Sequence, residues 1–295
     1  KSNYRQSSNI RKLKTDSTAD FNTKSSYSVT VTATDSDGLS VSKTLTVVVS
    51  NLIVPETIEG TVVDGYVSGS TVNVLDKDGN IIATTTTNSL GQYSFDMDDN
   101  NGARIVAEGG VDTLTGETVT VTLSAAKGSS YISALTTIID QAGDNAATVL
   151  TNLGLPSNFD LATSNPLENL EAQKVNAALI NIMAIGEALL ENAGLADGAG
   201  DELIVAELVT LLTTSSTFNS AASIKTVIET AAVNLDDAIK TKVNNLTDEV
   251  SESVANLNAQ INQAGSIAQI ATVQKVALDD EGSFLTSLVD AVKAG

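Results

Sequence analysis

The sequence predicts a multidomain β plus α protein: a β-hairpin, then a small antiparallel β-sandwich, then a C-terminal α-helical bundle. Three observations carry this reading. Residues 27–49 alternate apolar and polar side chains on either side of a single turn. Residues 57–123 hold short strand-like runs separated by Gly, Asp and Asn. Residues 130–295 space their apolar residues three and four apart. Period two marks strands and period 3.6 marks helices, so the chain changes architecture once, near residue 128. The expected divisions are 1–25, a basic polar segment; 26–54, the hairpin; 55–127, the β-module; and 128–295, the helices.

Composition narrows the chemistry. The 295 residues are 42% hydrophobic but only 3% aromatic, without Trp, so the cores must be built from Val, Ile, Leu and Ala. Cys is absent, which excludes disulfides, thiolate metal sites and Cys nucleophiles. His is absent too, so neither a Ser-His-Asp triad nor a His-ligated zinc site can be assembled from this chain. The net charge of −20 repels polyanions, arguing against nucleic acid and anionic membrane as partners. No run of about 18 apolar residues is present to span a bilayer, so no membrane insertion is expected. Residues 1–14 oppose the general trend: Lys1, Arg5, Arg11, Lys12 and Lys14 occur there without an acid. This head reads either as a solvated tail or as a connector for an acidic neighbour.

The hairpin places Tyr27, Val29, Val31 and Ala33 on one face of the first strand and Ser and Thr on the other. Asp35-Ser36-Asp37-Gly38 supplies the turn, and Leu39, Val41, Leu45, Val47 and Val49 continue the alternation. A lone hairpin is marginal in water, so its Val-rich face needs a covering sheet. The run Tyr27 to Ser40 (YSVTVTATDSDGLS) resembles the closing hairpin of bacterial cadherin-like and related immunoglobulin-like repeats. Such a repeat has seven strands, and the residues before the hairpin lack strand patterning. The chain also lacks an initiator Met, so it reads as part of a longer protein or as a subunit completed by a neighbour. The resemblance implies Ca²⁺ at acidic residues between repeats, with Asp35 and Asp37 as the candidates. The alternative is an Asp-Gly turn without metal, since Ca²⁺ takes roughly six to eight oxygens.

Beyond the linker Val54-Pro55-Glu56, strands are expected at 57–63, 70–75, 80–87, 91–97, 103–108 and 117–123. Tyr93, Phe95 and Met97 share an inward face. Asp64-Gly65, Asp76 to Asn80, Ser89 to Gly91, Asn100 to Gly102 and Thr115-Gly116 are the turns. Residues 60–72 (GTVVDGYVSGSTV) and 84–95 (TTTTNSLGQYSF) resemble the carboxypeptidase-regulatory, transthyretin-like module. That likeness implies a rigid spacer or binding accessory. Asp76 and Asp78 with Asn80, and Asp96 and Asp98 with Asp99, are further candidates to hold a cation, against the plain reading of turn and surface residues. The run Val106 to Gly116, leading into Tyr131 to Thr137, resembles a junction of secreted bacterial proteins where such a module passes into helices.

In the helical region Asn165-Pro166-Leu167-Glu168 reads as a helix start. The helix continues through Leu170, Val175, Leu179, Ile182, Met183, Ile185 and Leu189 to about Gly194. Further helices are expected at 130–142, 144–153, 201–213, 221–233, 266–278 and 281–293. The longest, about 235–263 and capped by Asn234, has apolar positions at Leu235, Ile239, Val243, Leu246, Val250, Val254, Leu257 and Ile261. Their eleven-residue repeat gives about 3.67 residues per turn, so little supercoil is expected.

These readings converge on a structural or adhesive extracellular protein of the cell surface, not an enzyme. It is expected to be a subunit or segment of a bacterial surface fibre, adhesin or surface-layer-like assembly. Self-association by β-strand complementation, head to tail into filaments, would use Val29, Val31, Leu45 and Val47, with the basic residues 1–14 adding steering. The only cofactor expected is Ca²⁺. Two other readings compete: a secreted polysaccharide-binding accessory module, and a carboxylate-based glycosidase.

Overall fold

Strict alternation over residues 26–48 produces a regular antiparallel ribbon. In the computed structural model, which describes residues 24–49, 56–97, 102–156, 158–278, 287, 290 and 291, strand β1 (Ser26–Thr34) pairs with β2 (Ser40–Val48). The register runs unbroken from Ser26 opposite Val48 to Thr34 opposite Ser40. One face is a ladder of hydroxyls: Thr30 meets Thr44 at 3.1 Å, Thr32 meets Ser42 at 2.7 Å and Thr34 meets Ser40 at 2.7 Å. The chain divides into two compact units, Lys1–Val54 and Pro55–Gly295, and this ribbon belongs to the first.

The second unit opens with β-structure. Its strands are β3 (Glu56–Val62), β4 (Val67–Ser68), β5 (Thr71–Asp76), β6 (Ile81–Thr86), β7 (Gln92–Met97), β8 (Gly102–Glu108), β9 (Val111–Asp112), β10 (Leu123–Ala126) and β11 (Tyr131–Ile132). One sheet is antiparallel in the order β10-β8-β5-β6. A second, in the order β11-β3-β7, is mixed, because β11 runs parallel to β3. The pair β4-β9 forms a third. Tyr93, Phe95 and Met97 are buried on one side of β7 while Gln92, Ser94 and Asp96 are exposed, as their alternation requires.

Helices follow: α1 (Ala134–Ala142), α2 (Ala146–Leu153), α3 (Leu170–Ala193), α4 (Ala199–Leu212), α5 (Ala221–Ala232), α6 (Asp237–Gln263) and α7 (Ile267–Leu278). The apolar core is continuous from the strands into the helices, from Ile58, Val74 and Phe95 through Leu135 and Ile138 to Leu179, Ile182, Val227 and Val250. The stripe of α6 buries Val243, Val250, Val254, Leu257 and Ile261. Its packing neighbours include α3 and α5 of the same chain. The described β-plus-α architecture agrees with the class expected from sequence.

Four elements depart from expectation, each for a local reason. The strand expected at 117–123 begins only at Leu123, because the Thr122 amide donates to the Asp201 carboxylate instead of to a neighbouring strand. The helix expected from residue 130 starts at Ala134, since Tyr131 and Ile132 are taken up beside β3. Ser133 then caps α1: its hydroxyl accepts from the Thr136 amide, and the Thr136 hydroxyl accepts from the Ser133 amide in return. Asn165 caps only a 3-10 turn over Pro166–Glu168, and Asn169, in extended backbone, caps α3 through the Ala172 amide at 3.1 Å. Asn234 does not cap α6, which starts at Asp237 with Asp237 paired to Lys240 at 2.7 Å. The helix expected at 281–293 lies outside the described residues except at 287, 290 and 291.

One buried polar contact fixes how α3 and α6 meet. Asn258, fully buried, accepts from Asn181 at 3.0 Å and donates to the Ala178 carbonyl at 3.3 Å and to Asn219 at 3.1 Å. Asn258→Ala orphans these partners and is expected to lower the unfolding free energy by about 2 kcal/mol. Urea denaturation measures it; a loss below about 0.5 kcal/mol, the scale of an ordinary surface change, would show that this contact does not hold the two helices.

Candidate functional site

The residues expected to drive assembly come together on one side of the β1–β2 ribbon. Tyr27 lies opposite Val47, Val29 opposite Leu45, and Ala33 opposite Val41. Val31 faces Lys43, so a cation sits within the apolar stripe, at the position between Val41 and Leu45 that the apolar alternation skips. The stripe is open to solvent: Val31 is 49% exposed, Val41 71% and Leu45 45%. Lys1, Arg5, Arg11, Lys12 and Lys14, the expected steering residues, lie outside the described residues.

The acidic candidates for cation binding separate into distinct local roles. Asp35 Oδ1 accepts from the amides of Asp37 at 3.0 Å and Leu39 at 2.9 Å, closing the hairpin turn, with Gly38 at φ +83°. Asp76 repeats the arrangement with the amides of Asp78 and Asn80, both at 2.9 Å, and Gly79 at φ +83°. The bonds from Asn80 hold the Asp76 carboxyl below the usual carboxylate range. Asn88 does the same for Leu90 and Gln92 at 2.9 and 3.0 Å, so one Asx-x-x-Gly device closes the β1–β2 and β5–β6 hairpins and the turn that carries the chain from β6 to β7 in the other sheet. Asp78 pairs with Lys77 at 2.8 Å, and Asp96 accepts from Thr57 at 3.0 Å across β3 and β7. Asp98 lies outside the described residues. Among the described residues no three acids converge as a metal cluster.

Sequence reasoning missed a different set of acids: four that are buried where strands meet helices. Asp64, in the turn after β3, is 3% exposed, and its Oδ1 accepts from Gln274 of α7 at 2.9 Å. Its carbonyl accepts from Gln173 of α3 at 2.6 Å. Burial, then the neighbouring Asp112 carboxylate, push the Asp64 carboxyl up to about 7, against the opposing Gln274 bond. Asp112, itself buried, accepts from the Leu114 amide at 2.8 Å and the Thr115 hydroxyl at 3.0 Å. It presses on the backbone at residue 65, where an added Cβ would lie 1.9 Å from Asp112 Oδ1; only glycine fits there.

The second pair lies between α3 and α4. Burial first and Asp201 second push the Glu187 carboxyl up to about 8. Burial likewise raises Asp201 to about 6, opposed by its bonds from Thr122. Glu187 Oε2 and Asp201 Oδ1 are buried without a hydrogen-bond partner. Asp201 also borders a cleft of about 290 Å³ shared with Arg104, Thr137 and Gln141. Arg104 is held there by Asp140 and by Ser124, which accepts from its Nη2 at 2.9 Å. A faint sequence signal existed for this pair: Glu187 interrupts the apolar run from Ala184 to Leu190 on the buried side of α3.

Comparison with protein-family profiles, with curated proteins and with solved structures finds no match. Among the described residues, no helix is long and apolar enough to cross a membrane.

The buried acids set a pH response. The folded values of Asp64, Glu187 and Asp201 are raised above the ordinary carboxyl range, so folding takes up protons. That stabilisation is complete below about pH 4 and is lost as pH rises through 6 to 8, each tenfold gain in proton affinity being worth roughly 1.4 kcal/mol. Melting temperature is therefore expected to fall from pH 5 to pH 9. Glu187→Gln and Asp64→Asn, which keep shape without titrating, should flatten the fall. An equally steep fall in both variants would place its origin elsewhere.

Proposed function

We propose that the chain is a structural or adhesive extracellular protein, a subunit or segment of a bacterial cell-surface fibre, adhesin or surface-layer-like assembly, without enzymatic activity. The observation that carries this reading is the β1–β2 ribbon, whose apolar side stands exposed at Val31, Val41, Leu45 and Val47. Burying such a stripe is worth roughly 25 cal/mol per Å², and a two-stranded ribbon has open edges that accept further strands. A strand from a second copy of this chain meets both needs. An interface of that head-to-tail kind does not close, so copies add into a filament.

The likeness of residues 27–40 to cadherin-like and immunoglobulin-like repeats supports reading the ribbon as the closing hairpin of such a repeat. The likeness of residues 60–95 to the transthyretin-like module supports a sandwich of spacer type, followed by the helical bundle. The net charge of −20 suits solubility at an outer surface, and the basic residues 1–14 would steer an acidic neighbour into place. Ca²⁺ belongs to the proposal at the acidic positions read from the sequence, Asp35 and Asp37, Asp76 and Asp78, and Asp96 and Asp98.

Electron microscopy and sedimentation test assembly. The intact chain is expected to form oligomers or filaments that weaken with salt, and both Leu45→Lys with Val47→Lys and deletion of residues 1–25 should leave monomers. A monodisperse wild-type monomer at high concentration overturns the proposal. For the cation, millimolar Ca²⁺ should raise the melting temperature and a chelator reverse it; an unchanged melting temperature removes Ca²⁺ from the account.

A further inference from the structure

The outer face of the β11-β3-β7 sheet carries a groove that strand complementation does not use. Its floor is the exposed side of two paired strands, with Glu59 opposite Ser94 and Thr61 opposite Gln92. One wall is the turn at Asn88 between β6 and β7. The other is Tyr131, on β11, beside Thr61. Together they bound a cavity of about 540 Å³, well inside the roughly 300–1,000 Å³ of small-molecule sites. The turn wall stands close to β3 because residue 91 is glycine: at φ +70°, an added Cβ would lie 2.6 Å from the Val62 carbonyl oxygen.

The lining selects a ligand by its chemistry. Among the described residues its one charged side chain is Glu59, and no Lys or Arg lines it, so phosphates, nucleotides and acidic sugars have no counter-charge to meet. Hydroxyls and carboxamides make up most of the rest, and each both donates and accepts. The polar groups are pre-set: Asn88 Oδ1 is fixed by the amides of Leu90 and Gln92, and Asn88 Nδ2 donates to Gln92 Oε1 at 3.1 Å. That bond occupies the Gln92 oxygen and leaves its amide nitrogen as the end offered to a ligand. Tyr131 is half-buried, and burial, then Glu168, then Tyr66 raise its phenol above the ordinary value, so the ring is neutral. A ring with one apolar face and fixed donors alongside suits a pyranose, which has an apolar C–H face and a rim of hydroxyls.

We propose that this groove binds a neutral oligosaccharide, stacked on Tyr131 and hydrogen-bonded by Gln92, Asn88 and Glu59. The site lies wholly in the second unit and stands independently of the assembly reading.

Calorimetric titration of the full chain with cellohexaose, xylohexaose, mannohexaose and maltohexaose tests it, with the hexamer of galacturonate and an oligolysine as charged comparisons. At least one neutral hexasaccharide is expected to bind saturably, and Gln92→Ala and Tyr131→Ala each to weaken it by about tenfold or more, the loss of one good hydrogen bond or stacking contact. Gln92 and Ser94 are exposed, so Gln92→Ala and Ser94→Lys read the groove without threatening the core. Leu45→Lys should leave saccharide affinity unchanged while altering assembly, which separates the two proposals. Absence of binding by all four neutral sugars, equal binding by galacturonate, binding of oligolysine alone, or full affinity in Gln92→Ala overturns the inference.

Discussion

A buried polar seam holds strands to helices in the second unit, and the arrangement of the rest depends on it. The apolar core supplies the drive to fold, but aliphatic packing is not directional. With few aromatics, the chain has little shape-specific packing to choose among competing placements of its helices. The seam makes that choice through hydrogen bonds. Asp64 ties the turn after β3 to α3 through Gln173 and to α7 through Gln274. Asp201 of α4 takes the Thr122 amide, and Thr137 of α1 takes the Ser124 amide at 2.8 Å. Three residues that alternation treats as surface material thus become the joints of the fold.

The same seam explains what could and could not be read in the sequence. Elements with a strong period were legible: β1, β2, β7, α3 and α6 follow from spacing alone, because each keeps a regular repeat, and β7 and α6 bury one face of it. Boundaries failed where a tertiary bond outweighed a local signal. Thr122 left the strand pattern for Asp201, Tyr131 and Ile132 left a helical pattern for β3, and Asn165 yielded the helix cap to Asn169. In each case the deciding partner lies far along the chain or in a backbone angle that propensity does not encode.

Acids posed the same problem for function. Asp35 and Asp76 stood out because Asp and Gly cluster in turns, and the structure gives both the same task of closing a hairpin. Asp64 sits in an equally ordinary Asp-Gly turn, yet it is buried by α3 and α7, whose residues come more than a hundred positions later. The groove beside Tyr131 was hidden for the same reason: its floor, turn wall and edge strand are brought together by pairing of β11 with β3.

Lys43 gives the exposed ribbon a ruler. Among the paired positions it is the one charged residue in a stripe otherwise made of Tyr, Val, Leu and Ala, while Lys24 lies over the Tyr27 ring at the end of the ribbon. Whatever strand is laid over that stripe must leave the ammonium in water or meet it with an acid. Sliding by two residues keeps the same faces together but sets a hydrocarbon side chain against the charge. A uniformly oily surface would tolerate many alignments with almost equal energy. A single offset cation makes one alignment stand apart from its neighbours, so the surface discriminates by penalty as much as by attraction.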